Sequence, residues 1–183
     1  MEDFETAVLS VPVSADDHAQ GPASAPITLV EYGDYECPHC GRAYPIVKDV
    51  QRELGHQLRF VFRNFPLKEV HLHAQTAAEA AEAAGAQGRF WEMHDMIFEH
   101  QRALLDRDLR DYAGRLALDQ ARFDEELASH AHASRVRQDF TGGIRSGVNG
   151  TPTFYINGVR HDGDWDFTSL LEAVKRGLVV GKK

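Results

Sequence analysis

The residues with the clearest chemistry lie in one pentapeptide, Glu36-Cys37-Pro38-His39-Cys40. The chain has only two cysteines, and they stand three positions apart. On the first turn of a helix, that spacing lets two thiols close a small disulfide ring. Proline is favoured at the first helical position, where a missing N–H costs nothing, so Pro38 places Cys37 at the helix start. There the unpaired N–H groups and the positive end of the helix dipole both favour a thiolate. His39 can add a positive charge or a hydrogen bond. Cys40, one turn further in, should be more buried and keep its proton longer. The roles that follow are attack for Cys37 and resolution of a mixed disulfide for Cys40. Such a pair carries its own electrons, so no cofactor is implied. No Gly-rich loop follows a strand, so no nucleotide or flavin site is visible.

Two other readings compete. A Cys pair can be half of a zinc site, but structural zinc takes four ligands, usually two such pairs. With no second pair, two histidines would have to serve, and His71 and His73 are the nearest candidates. The other reading is a chaperone or adaptor that binds peptides without redox turnover.

The surrounding elements must hold Cys37 at a helix start. Ile27–Tyr32 is a nearly continuous apolar and β-branched run, which predicts a strand buried on both faces. Gly33 and Asp34 break it. Ala43, Val47, Val50 and Leu54 then recur at helical spacing up to Gly55, with Pro45 inside. Leu58–Phe62 reads as a second strand, and the strand–helix–strand order favours a parallel right-handed crossover. Residues 71–147 read as helical. Ala74, Ala77, Ala78 and Ala81 form one small face, with Glu79 and Glu82 opposite. Phe90, Met93 and Ile97 form the next face, followed by Leu109, Tyr112 and Leu116. Phe123 and Leu127 come after a cap at Asp119. Trp91, Met93 and Phe98 read as core side chains, not as a substrate groove. The histidines at 71, 73, 94, 100, 130 and 132 read as surface or cap residues, and Glu36 as solvated. Thr153–Ile156 and Val159–His161 form a hairpin around Asn157-Gly158, where both turn positions take positive φ. Phe167, Leu170, Leu171 and Val174 mark a last helix. Val8, Val11 and Val13 predict a short strand near the start. The chain thus divides into an N-terminal arm or edge strand over 1–26, a sheet-bearing domain over 27–70 and 148–183, and an inserted helical subdomain over 71–147.

With 183 residues, 43% apolar and 26% charged, the chain has the make-up of an ordinary globular protein. Its net charge of -8 disfavours nucleic acid as a partner. No apolar run approaches the roughly 18 residues of a membrane span. The start Met1-Glu2-Asp3-Phe4-Glu5 is acidic where an export signal needs positive charge. That predicts a cytoplasmic protein, or an extracytoplasmic one if a leader was trimmed away. The Lys182–Lys183 pair reads as a solvated tail.

Over nearly its whole length the sequence resembles the DsbA-like branch of the thioredoxin superfamily, in particular its shorter bacterial members. The resemblance rests on the strand Ile27–Tyr32, the Gly-Asp-Tyr-Glu lead-in at 33–36, Cys-Pro-His-Cys at 37–40, the helical insert, and Gly150-Thr151-Pro152-Thr153-Phe154. It implies an α/β thioredoxin fold with a central mixed β-sheet and an inserted all-helical subdomain. It implies a protein-disulfide oxidoreductase acting on protein or peptide thiols together with a redox partner. Pro152 is implied to be cis and to lie against the cysteines, with Thr151 offering its N–H and C=O to an extended substrate. Glu31, six residues before Cys37, is implied to be a buried acid beneath Cys40, with a raised pKa and able to exchange a proton with it. Relatives of this kind usually work where disulfides persist, so the resemblance carries the chemistry better than its direction.

Overall fold

The run Ile27–Gly33 is buried along nearly its whole length in the computed structural model, which describes residues 7–180 (Val179 and Val180 in backbone only). The acidic start Met1–Glu5 and the Lys182–Lys183 pair lie outside those residues. In chain order the elements are β1 (His18–Gln20), β2 (Ile27–Gly33), α1 (Pro38–Leu54), β3 (Leu58–Asn64), α2 (Ala74–Gly85), α3 (Phe90–Glu99), α4 (Asp106–Arg115), α5 (Gln120–Ala128), α6 (Ala133–Arg145), β4 (Thr153–Ile156), β5 (Val159–His161) and α7 (Phe167–Val180). The chain divides into two compact units. The sheet unit is Met1–Gly33, Arg42–Arg63 and Gly142–Lys183; the helical unit is Asp34–Gly41 and Asn64–Thr141. The predicted insertion ran over 71–147 and left the cysteines with the sheet. The helical unit has two stretches, Asp34–Gly41, which holds the cysteine turn, and Asn64–Thr141, which overlaps the predicted insertion.

In the sheet unit a mixed five-stranded sheet runs in the order β1-β3-β2-β4-β5. β2 is the central strand, so both of its faces need apolar side chains. Ile27, Leu29 and Tyr32 are wholly buried there. β2 pairs antiparallel with β4, with Glu31 opposite Phe154 and Tyr32 opposite Thr153. The β4–β5 hairpin turns at Asn157 (φ 48°) and Gly158 (φ 83°), where a left-handed pair matches the strand twist. The Asn157 side chain also accepts the Thr28 N–H at 2.8 Å, tying the turn to the central strand. α7 packs on β2 and β4, and its Leu170 and Val174 are wholly buried.

The strand predicted around Val8–Val13 does not form. Val8 makes a single bridge to Val159, and the edge strand is β1, paired with β3. The carbonyls of Val11 and Pro12 are taken instead by the Arg63 guanidinium, at 2.8 and 3.1 Å, and so are not offered to a ladder.

In the helical unit α2 packs against α3, α4 and α5. Met93, Ile97, Leu109 and Phe123 are fully buried, each contributing roughly 1.5–3 kcal/mol. Phe65 and Phe140 stack at 4.3 Å between centroids. Asp119 caps α5 by accepting the Arg122 N–H at 3.0 Å. Glu79 and Glu82, read from the sequence as the polar side of α2, are only 2% and 5% exposed. With neighbours on several sides, α2 has little solvent face, so both carboxylates find protein donors. Glu79 accepts from Gln75 at 2.8 Å and Glu82 from Asn64 at 2.7 Å. Asn64 also donates its backbone N–H to Asp139 at 3.0 Å, and Arg135 pairs with that carboxylate. Burial, with Glu82 nearby, nevertheless pushes the Asp139 carboxyl up, against the pull of Arg135 and Asn64.

Candidate active site

Gly33 ends β2, and the next residue organises everything up to the helix. The Asp34 side chain folds forward over the turn, and its Oδ1 accepts the N–H of Glu36 at 2.8 Å and of Cys37 at 3.2 Å. The Asp34 carbonyl also receives the Cys37 N–H, at 3.2 Å. This is the bonding of a short polar side chain at a helix entrance. α1 then begins at Pro38, as predicted, and the Cys37 carbonyl accepts the Gly41 N–H at 3.0 Å. Cys37 therefore stands at the positive end of a helix of 17 residues.

The two sulfurs are not joined in a disulfide. Cys37 is 4% exposed and Cys40 is wholly buried, the order expected of an attacking and a resolving thiol. The Asp34 N–H points at Cys40 Sγ from 3.4 Å, which favours negative charge on that sulfur as well. Pro38 and His39 are exposed.

Other residues of the helical unit hold this turn. The Gln101 side chain donates to the carbonyls of Tyr35 and Cys37, at 2.8 and 3.0 Å. Gly41 is what admits it, since a Cβ there would lie 2.0 Å from Gln101 Oε1. Tyr35 is buried; its hydroxyl pairs with His94 Nδ1 at 3.0 Å and its ring packs on Phe98 at 4.9 Å. His94 is thus a core residue, 3% exposed, and not the surface residue its type suggested. Met93 and Phe98 are buried as read, while Trp91 is half-buried.

The remaining contacts are carboxylate–histidine pairs. Asp34 Oδ2 accepts from His71 Nδ1 at 2.7 Å and from the Leu67 N–H at 2.8 Å. Glu36 accepts from the His73 N–H at 2.6 Å and from His73 Nδ1 at 2.8 Å. Carboxylates only accept, so both rings carry their proton on Nδ1. Glu36 is therefore bound, not freely solvated as predicted. Burial pushes its carboxyl up, but the His73 bonds and the charges of His73 and His71 outweigh this and hold it below the usual carboxylate range. Burial likewise opposes charge on His71, but the Asp34 bond and the negative charges of Asp34, Cys37 and Glu36 raise its pKa. The histidines weighed as zinc ligands are thus turned to these acids. Among the described residues no group of three or more His, Cys, Asp or Glu side chains is placed to hold a metal ion.

Of the predicted site residues, Cys37, Pro38, His39 and Cys40 fall together in the helical unit. Glu31, Thr151 and Pro152 belong to the sheet unit, Glu31 on β2 and the other two just before its neighbour β4. Glu31 is 2% exposed on the central strand. The Thr151–Pro152 bond is cis, directly before β4, and both residues are half-buried. Sequence reasoning missed Asp34, Gln101 and His94. An Asp three residues before a helix-starting Cys is a capping signal that was available. Gln101 and His94 carried none, since their partners are brought to them only by folding.

The family model described as thioredoxin matches residues 14–176. This chain belongs to the thioredoxin family. Among solved members, BdbD from Bacillus subtilis in its oxidised form is 25% identical, with a TM-score of 0.80, covering 95% of this chain and 99% of that one. The α-DsbA1 of Wolbachia pipientis shares the fold at 19% identity and a TM-score of 0.79, covering 94% and 96%. A curated relative from Salinispora arenicola, named Na(+)/H(+) antiporter NhaA 1, is 52% identical over 91% of this chain. That match takes up 26% of the relative, so the chain spans about a quarter of its length. Among the described residues no helix is long and apolar enough to cross a membrane.

Proposed function

We propose that this chain is a thiol–disulfide oxidoreductase that exchanges a Cys37–Cys40 disulfide with protein or peptide thiols. One observation carries the reading: Cys37 stands at the capped start of α1, with Cys40 one turn behind it receiving the Asp34 N–H. The helix dipole at Cys37 and the N–H received by Cys40 both favour the anion. The likeness of fold to BdbD, solved in its oxidised form, and to α-DsbA1 supports the reading. Ion antiport is not part of the proposal, because the antiporter relative extends far beyond the matched region.

In the oxidising direction a substrate thiolate attacks Cys37 Sγ. The Cys37–Cys40 bond breaks, and Cys40 leaves as a thiolate that then takes a proton. A second substrate thiolate attacks the substrate sulfur of the mixed disulfide and expels the Cys37 thiolate. Two electrons pass from the substrate dithiol to the enzyme, and the reverse sequence reduces a substrate disulfide. The dithiol serves as the electron carrier. Glu31 is proposed as a proton exchanger for Cys40, and Thr151–Pro152 as the backbone that receives the substrate.

The test is disulfide transfer from the oxidised protein to a reduced peptide, alongside insulin reduction by the reduced protein. Cys37→Ser should abolish both, and Cys40→Ser should accumulate mixed disulfides. Undiminished turnover in Cys37→Ser overturns the proposal. Peptide binding indifferent to cysteine loss, without turnover, would favour an adaptor. The reduction potential gives the direction, on a scale running from about -270 mV for reductants to about -120 mV for oxidants.

A further inference from the structure

Two negative groups compete for the start of α1. The Asp34 carboxylate takes the N–H of Cys37 itself, beside the Asp34 carbonyl, and so sets a negative group at the helix end that otherwise favours the Cys37 thiolate. Asp34 is 1% exposed, so water does little to weaken its charge. A like charge this close disfavours ionisation of the thiol. Asp34 is thus a good cap and, taken alone, a poor neighbour for a nucleophile.

The geometry points to His71 as the residue that resolves this conflict: its imidazolium, bound to the far oxygen of Asp34, neutralises the cap and so holds Cys37 as a thiolate. His71 is a positioning residue in this account, acting through Asp34. The division of the carboxylate carries the argument. Oδ1 faces the helix start, where it takes the Glu36 and Cys37 N–H groups. Oδ2 faces the 65–73 segment, where it takes the Leu67 N–H and His71 Nδ1. One side caps while the other is compensated.

The neighbouring acid repeats the arrangement two residues on. Glu36 is matched by His73 as Asp34 is by His71, so both acids flanking the cysteine turn have a histidine on the facing segment. The inner pair matters more. The Asp34 side chain is wholly buried and that of His71 is 20% exposed, against 24% and 40% for Glu36 and His73. Among the described residues, the charges of Asp34, Cys37 and Glu36 act on the His71 ring, and all three favour its protonated form.

The redox reading gives this device its use, but the test needs no substrate. The reduced protein is titrated by thiolate absorbance, and the alkylation rate of Cys37 by iodoacetamide is followed against pH. His71→Gln keeps a hydrogen-bond donor and removes the charge. It should raise the Cys37 pKa by about one unit or more, giving about tenfold less thiolate at a pH below that pKa. Asp34→Asn combined with His71→Gln removes both charges and should bring the titration back towards the wild type. A merely structural role for His71 would not reverse in this way. An unchanged Cys37 titration in His71→Gln, or a double variant as perturbed as the single one, overturns the inference. If His71→Gln does not fold, Asp34→Asn decides alone: alkylation in mild acid should be at least as fast as in the wild type, and slower alkylation overturns the inference. Insulin reduction by the wild type is measured alongside. Absent turnover counts against the enzyme reading and leaves the thiol titration to answer for His71.

Discussion

Arg63 in the sheet unit and Asp34 in the helical unit are both buried charges held by several hydrogen bonds, yet they are partnered differently. Arg63 grips Asp17 with two nitrogens, at 2.7 and 3.0 Å, and also donates to Tyr32 Oη and to the Val11 and Pro12 carbonyls. Burial opposes its charge, but the bonds to Asp17 and Tyr32 and the Asp17 charge raise its pKa further still, so it never titrates in the working range. Asp34 is partnered by backbone N–H groups and a histidine, the one side chain whose ordinary pKa lies near neutrality. The sheet unit thus uses a fixed charge as a clamp on its N-terminal segment. The helical unit uses an adjustable charge beside a thiol. Buried ionic groups can fasten or tune, and the partner's pKa decides which.

The largest expected effect tests the clamp. Arg63→Leu takes the guanidinium from Asp17, whose side chain is 6% exposed, and loosens the 11–17 segment. Breaking a buried pair from one side costs about 3–5 kcal/mol, read as a lower denaturant midpoint. Removing both charges with Arg63→Met and Asp17→Leu should recover much of that loss. A single variant costing under about 1 kcal/mol would make Arg63 no clamp at all and break the comparison. A smaller effect is expected under the cysteine turn. Tyr35→Phe removes one partner of the buried bond to His94 and should cost about 1–2 kcal/mol. The thiol titration should stay in place, because no charge changes. A marked shift in the Cys37 pKa would mean that packing, and not charge, tunes the site.

The sequence was most legible where local rules act. The central strand, the helix start at Pro38, the Asn157-Gly158 turn and the Asp119 cap all follow from propensity, capping or turn chemistry, and all are present. It was least legible where polar side chains meet partners distant in the chain. Glu79 and Glu82 fit the polar side of a helix, and only the packing of α2 against α3, α4 and α5 buries them. Val8–Val13 has strand-like residues, and a guanidinium brought in from 52 residues away claims the Val11 carbonyl. The cysteines were plain from spacing alone, while the histidines and Gln101 that hold their turn were hidden for the same reason as the glutamates.

The smallest expected effect probes the outer carboxylate–histidine pair. The folded pKa of Glu36 lies below its ordinary value of 4.5. Below that value the unfolded chain takes up a proton that the folded chain refuses, so acid favours unfolding. The pair's contribution is therefore complete above about pH 4.5 and fades as pH falls through the folded pKa. His73 is 40% exposed, and water and salt weaken the pairing, so the contribution should be about 0.5 kcal/mol. Glu36→Gln should be less stable than the wild type by about that amount at neutral pH, with the difference shrinking towards zero in acid. Denaturant midpoints measured across that range check it. A difference that persists undiminished in acid would mean that Glu36 acts through the His73 N–H alone, whatever its charge. The parallel drawn between the outer and inner pairs would then fail, and tuning by charge would rest on Asp34 and His71 only.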